Sequence, residues 1–151
     1  MNIINEQIRG FLEEPDMIAA LSNISALINM SYDNLNWAGF YFVRNGELVL
    51  GPFQGKPACT HIPFDKGVCG KTYRTKETQL VDDVLQVPDH IACDSASRSE
   101  LCVPVIVNGE CIMEIDIDAP IPSRFDECIK KEMEQAAEDI ASAYVSHLWK
   151  L

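Results

Sequence analysis

Eleven consecutive residues, His90-Ile-Ala-Cys-Asp-Ser-Ala-Ser-Arg-Ser-Glu100, carry a thiol, three hydroxyls, an arginine and two carboxylates. So polar a stretch has little to bury, and it runs directly into the apolar Leu101-Cys-Val-Pro-Val-Ile-Val107. Reactive side chains on a loop, held by a rigid strand, are a common way to build an active site. The nucleophile on offer is Cys93, and the chemistry it suggests is that of a thiol. Asp94 and Glu100 oppose its ionisation while Arg98 assists it, so charge count alone decides nothing.

The chain has six cysteines, at positions 59, 69, 93, 102, 111 and 128. Cys102, Cys111 and Cys128 sit in apolar strand or helix patterns and read as small buried hydrophobes. Cys59, Cys69 and Cys93 adjoin turn residues and polar groups. No Cys-x-x-Cys occurs, and the gaps of ten and twenty-four between these three fit no common zinc spacing, so no structural metal is expected. Cys69 lies where a glycine-flanked turn opens a helix, and helix N-terminal amides favour a thiolate. The same Gly67-Val-Cys-Gly70 also reads as small residues required for close packing.

Two further constellations bear on chemistry. In Trp37-Ala-Gly-Phe-Tyr41, strand alternation puts Trp37, Gly39 and Tyr41 on one face. That face is either a ring-walled slot for a small sulfur-bearing group or ordinary cross-strand packing with Gly39 admitting a bulky neighbour. In Glu114-Ile-Asp-Ile-Asp118 three carboxylates share the face opposite Ile115 and Ile117. They suit an ammonium group or a metal, or else a solvated edge strand guarded against aggregation. The three histidines, His61, His90 and His147, have no partner at metal or triad spacing and read as solvated or packed.

The elements that must position these groups are legible in part. Ile3, Ile4, Ile8, Phe11 and Leu12 recur at helical spacing, and Pro15-Asp16 restarts a second helix with Ile18, Leu21, Ile24, Leu27 and Ile28 on one stripe. A strand over Trp37 to Val43 turns at Asn45-Gly46 into Leu48-Val-Leu50, and Pro57 to Pro63 suggests a third strand. Gly67 opens a short helix and Gln79-Leu-Val81 is a short strand. Leu101 to Val107 and Cys111 to Ile117 form a second hairpin around Asn108-Gly109. From Ser123 or Asp126 a terminal helix carries Ile129, Met133, Ala136, Ile140 and Tyr144. This pattern predicts an α+β fold, one domain over residues 1–151, its largely antiparallel sheet covered on one face by the N- and C-terminal helices and on the other by loops.

Bulk composition narrows the class. The chain has 151 residues, 47% hydrophobic and 23% charged, enough for a sizeable core without staples. A formal net charge of −11 argues against nucleic acid or an anionic membrane as partner. Met1-Asn-Ile-Ile-Asn-Glu-Gln7 lacks the basic start of a signal peptide, and the apolar runs are shorter than the ~20 residues that span a bilayer. A cytoplasmic location is expected, with the cysteines reduced at rest.

Asn36-Trp-Ala-Gly-Phe-Tyr41, Gly51-Pro-Phe-Gln-Gly-Lys-Pro-Ala-Cys59, Ile62-Pro-Phe64, Gly67-Val-Cys-Gly70, the 90–100 run and Asp116-Ile-Asp118 together closely resemble the free methionine-(R)-sulfoxide reductases, which are GAF-domain proteins. The resemblance covers nearly the whole chain and implies a single GAF-like domain that reduces free methionine (R)-sulfoxide, not sulfoxide within proteins. It implies no cofactor, thioredoxin as external reductant, and a homodimer. The family's substrate pocket matches Trp37, Tyr41, Glu100, Asp116 and Asp118, and its redox cysteines match Cys59, Cys69 and Cys93. On this reading Cys93 attacks sulfur, Glu100 donates a proton to the sulfoxide oxygen, and Cys59 resolves the sulfenic acid to a disulfide, with Cys69 a rival for either thiol role. Glu114 stands where an apolar residue is expected, and Cys102, Cys111 and Cys128 look peculiar to this chain.

Two other classes compete. A GAF-type sensor binds a small ligand and catalyses nothing, since fold does not fix function. A metal-dependent hydrolase would use the carboxylate face, but no clustered histidine supports it.

Overall fold

The computed structural model describes residues 2–88 and 93–151, so the His90–Ala92 part of the polar loop lies outside the described residues. Its helices are α1 (Ile3–Phe11), α2 (Met17–Ser31), α3 (Gly67–Thr75) and α4 (Glu127–Ser146). Its strands are β1 (Trp37–Arg44), β2 (Glu47–Gly55), β3 (His61–Pro63), β4 (Gln79–Val81), β5 (Ser99–Val107) and β6 (Glu110–Ala119). They form one sheet in the order β3-β2-β1-β6-β5-β4, and every pairing is antiparallel.

Both hairpins turn at Asn-Gly. Asn45 and Gly46 have φ of 51° and 77°, and Asn108 and Gly109 have 52° and 79°. Two consecutive positive φ angles define the type I′ turn, whose twist matches that of the flanking strands. Helices α2 and α4 start at carboxylate caps. Asp16 accepts from the Ala19 amide at 2.9 Å and Asp126 from the Ile129 amide at 2.8 Å, each worth about 1 kcal/mol. Of the two expected caps for α4, Asp126 is the one used.

Helices α1, α2 and α4 cover one face of the sheet, as expected. Their Ile8, Leu21, Ile24, Ile28, Met133 and Ile140 pack on Ala38, Phe40 and Phe42 of β1, Leu101, Val103 and Val105 of β5, and Met113, Ile115 and Ile117 of β6. The opposite face carries α3 and the connecting loops, over Trp37, Tyr41, Leu48, Ile62, Val68, Cys69 and Cys102.

Several details depart from expectation. Strand β2 continues through Gly51-Pro-Phe-Gln-Gly55, because an extra residue opposite Phe40 shifts the register and gives Pro52 a bulge where its missing N–H does no harm. The third strand shrinks to His61–Pro63. Ile18 is 50% exposed; the buried stripe of α2 runs through Met17, Leu21, Ile24 and Ile28 instead. Cys128, expected in the core, is exposed, since it precedes the buried Ile129 and points about a quarter-turn away from it. Strand β6 is not an edge strand but sits between β1 and β5, which removes the solvated-edge account of its carboxylates.

Candidate active site

The three central strands build the floor of a pocket on the face away from α1, α2 and α4. Antiparallel register sets the juxtapositions: Asp118 pairs with Trp37 on one side and Glu100 on the other, and Asp116 with Gly39 and Cys102. Odd positions of β1 and even positions of β5 and β6 therefore meet on one face. Helix α3 adds Cys69, and the loops after β2 and before β5 add Cys59 and Cys93. A small cavity that opens to solvent is lined by Trp37, Tyr41, Cys69, Cys93, Glu100, Asp116 and Asp118 among others. The pocket and redox residues that the resemblance implies thus lie together, with Cys59 packed at the margin of the same cluster.

Cys59 and Cys93 are joined by a disulfide, their Cα atoms 5.3 Å apart. The loops after β2 and before β5 bring their Cα atoms within bridging distance, the pairing expected of a resolved sulfenic acid. Cys69, Cys102, Cys111 and Cys128 are free. The polar loop around Cys93 is held by its own side chains. Asp94 accepts from the Ala96 amide and from Asn36 Nδ2, both at 2.9 Å, and Asn36 also donates to Ser97 Oγ at 3.0 Å. The Ala96 amide, then Asn36, hold the Asp94 carboxyl below its usual range despite partial desolvation. Arg98 is not aimed at the thiol; its guanidinium meets Asp83 at 3.3 Å.

The ring wall differs from the slot that alternation suggests. A Cβ on Gly39 would fall 2.4 Å from Cβ of Phe53, so this glycine admits β2, as the packing reading holds. Trp37 and Tyr41 stack on one another with centroids 5.8 Å apart, and Trp37 stacks on Phe53 at 5.2 Å. The rings form one continuous wall of the cavity. The Tyr41 hydroxyl donates to the Cys59 carbonyl at 2.8 Å, which ties the wall to the disulfide loop.

The floor is acidic and largely buried. Glu100, Asp116 and Asp118 bring one carboxylate oxygen each within 4.8 Å of one another. Burial, then the neighbouring Asp116 and Asp118, push the Glu100 carboxyl well above its ordinary range, which favours its protonated form. Burial likewise raises Asp116 and Asp118. Asp116 Oδ1, Asp118 Oδ1 and Trp37 Nε1 are buried without a hydrogen-bond partner among the described residues. Carboxylate oxygens left unpaired around a cavity call for a cation or a cluster of donors.

Cys69 does not behave as its place at the start of α3 suggested. It is buried, and its contact with Cys102 Sγ (3.8 Å), burial and the nearby acids push its thiol well above the usual range. Three unfavourable surroundings outweigh the helix amides. Sequence reading assigned no role to Asp94 and Ser97, which line the cavity; their only signal is membership of the 90–100 run. Sequence reading offers Glu114 only as one of three carboxylates on a shared face, and the resemblance matches it to no pocket residue. Glu114 is wholly buried, and Cys102 Sγ donates to its Oε1 at 3.3 Å.

Known proteins resemble this chain in sequence and fold. The GAF domain family matches residues 16–144. Protein YtsP of Bacillus subtilis is 48% identical over 87% of this chain and 82% of its own length. The free methionine-R-sulfoxide reductase of Saccharomyces cerevisiae is 47% identical over 85% of this chain and 76% of its own. The X-ray structure of free methionine-R-sulfoxide reductase from Neisseria meningitidis in complex with its substrate superposes with a TM-score of 0.92, at 38% identity, over 96% of this chain and 88% of that one. Likeness of this extent, joined to the motifs that line the cavity, places the chain in the free methionine-R-sulfoxide reductase family of GAF-domain proteins.

Proposed function

We propose that this chain reduces free methionine (R)-sulfoxide to methionine through Cys93 and Cys59, and that thioredoxin regenerates it. The observation that carries the reading is the Cys59–Cys93 disulfide beside a cavity floored by Glu100, Asp116 and Asp118 and walled by Trp37 and Tyr41. The substrate has an ammonium, a carboxylate, a sulfoxide and a terminal methyl. Asp116 and Asp118 take the ammonium, whose N–H groups satisfy the unpaired oxygens. The S-methyl end lies on the Trp37–Tyr41 wall, where sulfur–aromatic contact is favourable. A methionine within a protein has no ammonium to offer, which accounts for selection of the free amino acid.

The protonated Glu100 donates to the sulfoxide oxygen as the Cys93 thiolate attacks sulfur. The S–O bond breaks, oxygen passes to Cys93 as sulfenic acid, and methionine leaves. The Cys59 thiol then displaces water from that sulfenic acid, forming the disulfide. A thioredoxin dithiol opens it by exchange and is itself oxidised to a disulfide. Summed, methionine sulfoxide and a dithiol give methionine, a disulfide and water. Cys69, with its raised thiol pKa and its place 3.8 Å from Glu100 Oε2, serves as part of the wall instead of the nucleophile. The family resemblance supports a homodimer. No described helix is long and apolar enough to cross a membrane, which is compatible with work in the cytoplasm.

The test is methionine release with a thioredoxin system on the R and S sulfoxides and on N-acetyl-methionine sulfoxide. Turnover confined to the free R isomer is expected. Binding of methionine sulfoxide without any release of methionine overturns the reading in favour of a ligand sensor.

A further inference from the structure

Beside and behind the cavity floor lies a further set of groups, of which the proposed reaction uses Asp116 alone to bind substrate. Cys102 of β5 faces Cys69 of α3, with Sγ atoms 3.8 Å apart, and Glu114 of β6 at 3.3 Å. We propose that Cys69, Cys102 and Asp116, backed by Glu114, form a binding site for a thiophilic divalent cation of the zinc class.

Geometry is the first argument. A tetrahedral zinc ion with bonds of about 2.3 Å to sulfur requires its two sulfurs to stand about 3.8 Å apart, and a sulfur and a carboxylate oxygen about 3.5 Å apart. The observed sulfur–sulfur separation of 3.8 Å lies at that edge, and Glu114 Oε1 stands 3.3 Å from Cys102 Sγ behind it. One ligand atom each from Cys69, Cys102 and Asp116 lie within 4.8 Å of one another. Small shifts suffice to close the set around an ion.

Unmet bonding is the second, independent argument. Glu114 is 0% exposed and Asp116 5%, yet Glu114 Oε2 and Asp116 Oδ1 have no hydrogen-bond partner among the described residues. The Cys102 contact satisfies one oxygen of Glu114 and leaves the other bare. A dicationic centre would pair both carboxylates and release the thiol protons. The donor set fixes the class of ion: two thiols with carboxylates suit zinc or cadmium, whereas calcium and magnesium take oxygen ligands alone. Cys69 and Asp116 also line the open cavity, which provides a way in.

The consequence for activity rests on the proposed function. An ion on Asp116 removes a partner of the substrate ammonium, so cation and methionine sulfoxide compete.

The experiment uses the full chain with Cys59→Ser, Cys93→Ser and Cys128→Ser, kept reduced, so that the redox pair and the exposed thiol supply no ligand. Cobalt(II) is titrated as a spectroscopic probe and displaced by zinc(II). One equivalent per chain is expected, with thiolate-to-cobalt charge transfer and the visible bands of a tetrahedral centre. Adding Cys102→Ala should abolish the charge-transfer band and weaken zinc binding at least about 100-fold, a ligand counting for no less than an outer-shell partner. If that variant does not fold, Cys102→Val is read in the same way. Absence of the bands from the parent, or their persistence without Cys102, overturns the site. Calorimetry of methionine sulfoxide with and without zinc separates this from the reductase reading. Cobalt bands with an unchanged methionine sulfoxide affinity uphold the cation site and overturn the placement of the ammonium on Asp116.

Discussion

Strand β6 carries two proteins' worth of chemistry on its two faces. Met113, Ile115 and Ile117 enter the helix-covered core, where aliphatic and aromatic neighbours surround them. Glu114, Asp116 and Asp118, interleaved with them, face rings, thiols and one another. Backbone pairing to β1 and β5 is shared by both faces, so the contrast is one of side chains alone. The apolar face stabilises the sheet by burial. The acidic face desolvates carboxylates with no described counter-ion, and stability supplied by the first face permits that arrangement on the second.

The sharpest way to break this division is to alter the reacting sulfur. Cys93→Ser should lower turnover by at least about 10³-fold, the order expected when a nucleophile is removed. Cys59→Ser should also stop steady-state turnover, yet release one equivalent of methionine in a single turnover, because only resolution is lost. Cys69→Ser should do neither to the same extent. Rapid-quench measurement of methionine from the three variants decides; a full equivalent released by Cys93→Ser assigns the attack elsewhere. Thermal unfolding of all three should stay close to that of the parent when reduced.

Paired substitutions on neighbouring β6 positions sharpen the contrast. Ile115→Ala leaves a cavity under the helices and should cost about 2–5 kcal/mol of stability, with the Michaelis constant for methionine sulfoxide unmoved. Asp116→Asn should raise that constant about 10- to 100-fold by removing an ionic partner of the ammonium, with no loss of stability at neutral pH. Denaturant melts beside initial rates read both. Equal stability losses at the two positions would show that the faces are not divided as described.

A smaller effect separates the acids by role. Glu100 works protonated, so activity should fall as pH rises through its elevated pKa. Glu100→Gln keeps a donor that cannot titrate. It should lower the rate about 10²-fold, the modest end of general-acid effects, and flatten the alkaline limb of the pH–rate profile.

How much of this was visible in the residues follows the range of the forces involved. The hairpins were legible because Asn-Gly encodes their turns locally, and α4 because its stripe repeats over twenty residues. The motifs located the site. Strand β2 was cut short because Gly51 and Pro52 are read as breakers, and only the register against β1 shows the bulge that accommodates them. Whether Glu114, Asp116 and Asp118 lie at an edge or in the centre depends on strand order, a long-range property. Cys69 reads two ways from sequence for the same reason. Its position in α3 is local, but Cys102 and the acids that raise its pKa arrive from β5 and β6. The free-standing Cys128 was an error of helical phase by one residue.

Glu114 isolates the cost of the acidic face, since the proposed reaction gives it no part. Burial raises its pKa well above the ordinary value. Its unfolded counterpart ionises near pH ~4.3. Between those two values the folded chain binds the extra proton, so stability is greatest below the unfolded pKa and declines as pH rises towards the folded one. One such group contributes a slope of about 1.4 kcal/mol per pH unit. Glu114→Gln has the same shape, still accepts from Cys102, and cannot ionise in either state. The variant should therefore match the parent near pH 4 and become progressively more stable above it, with reductase activity retained. Urea melts across that range measure the divergence. Parallel pH profiles for the two chains would mean that the carboxyl of Glu114 is not held neutral by its surroundings, and the acidic face would then be better compensated than its unpaired oxygens indicate.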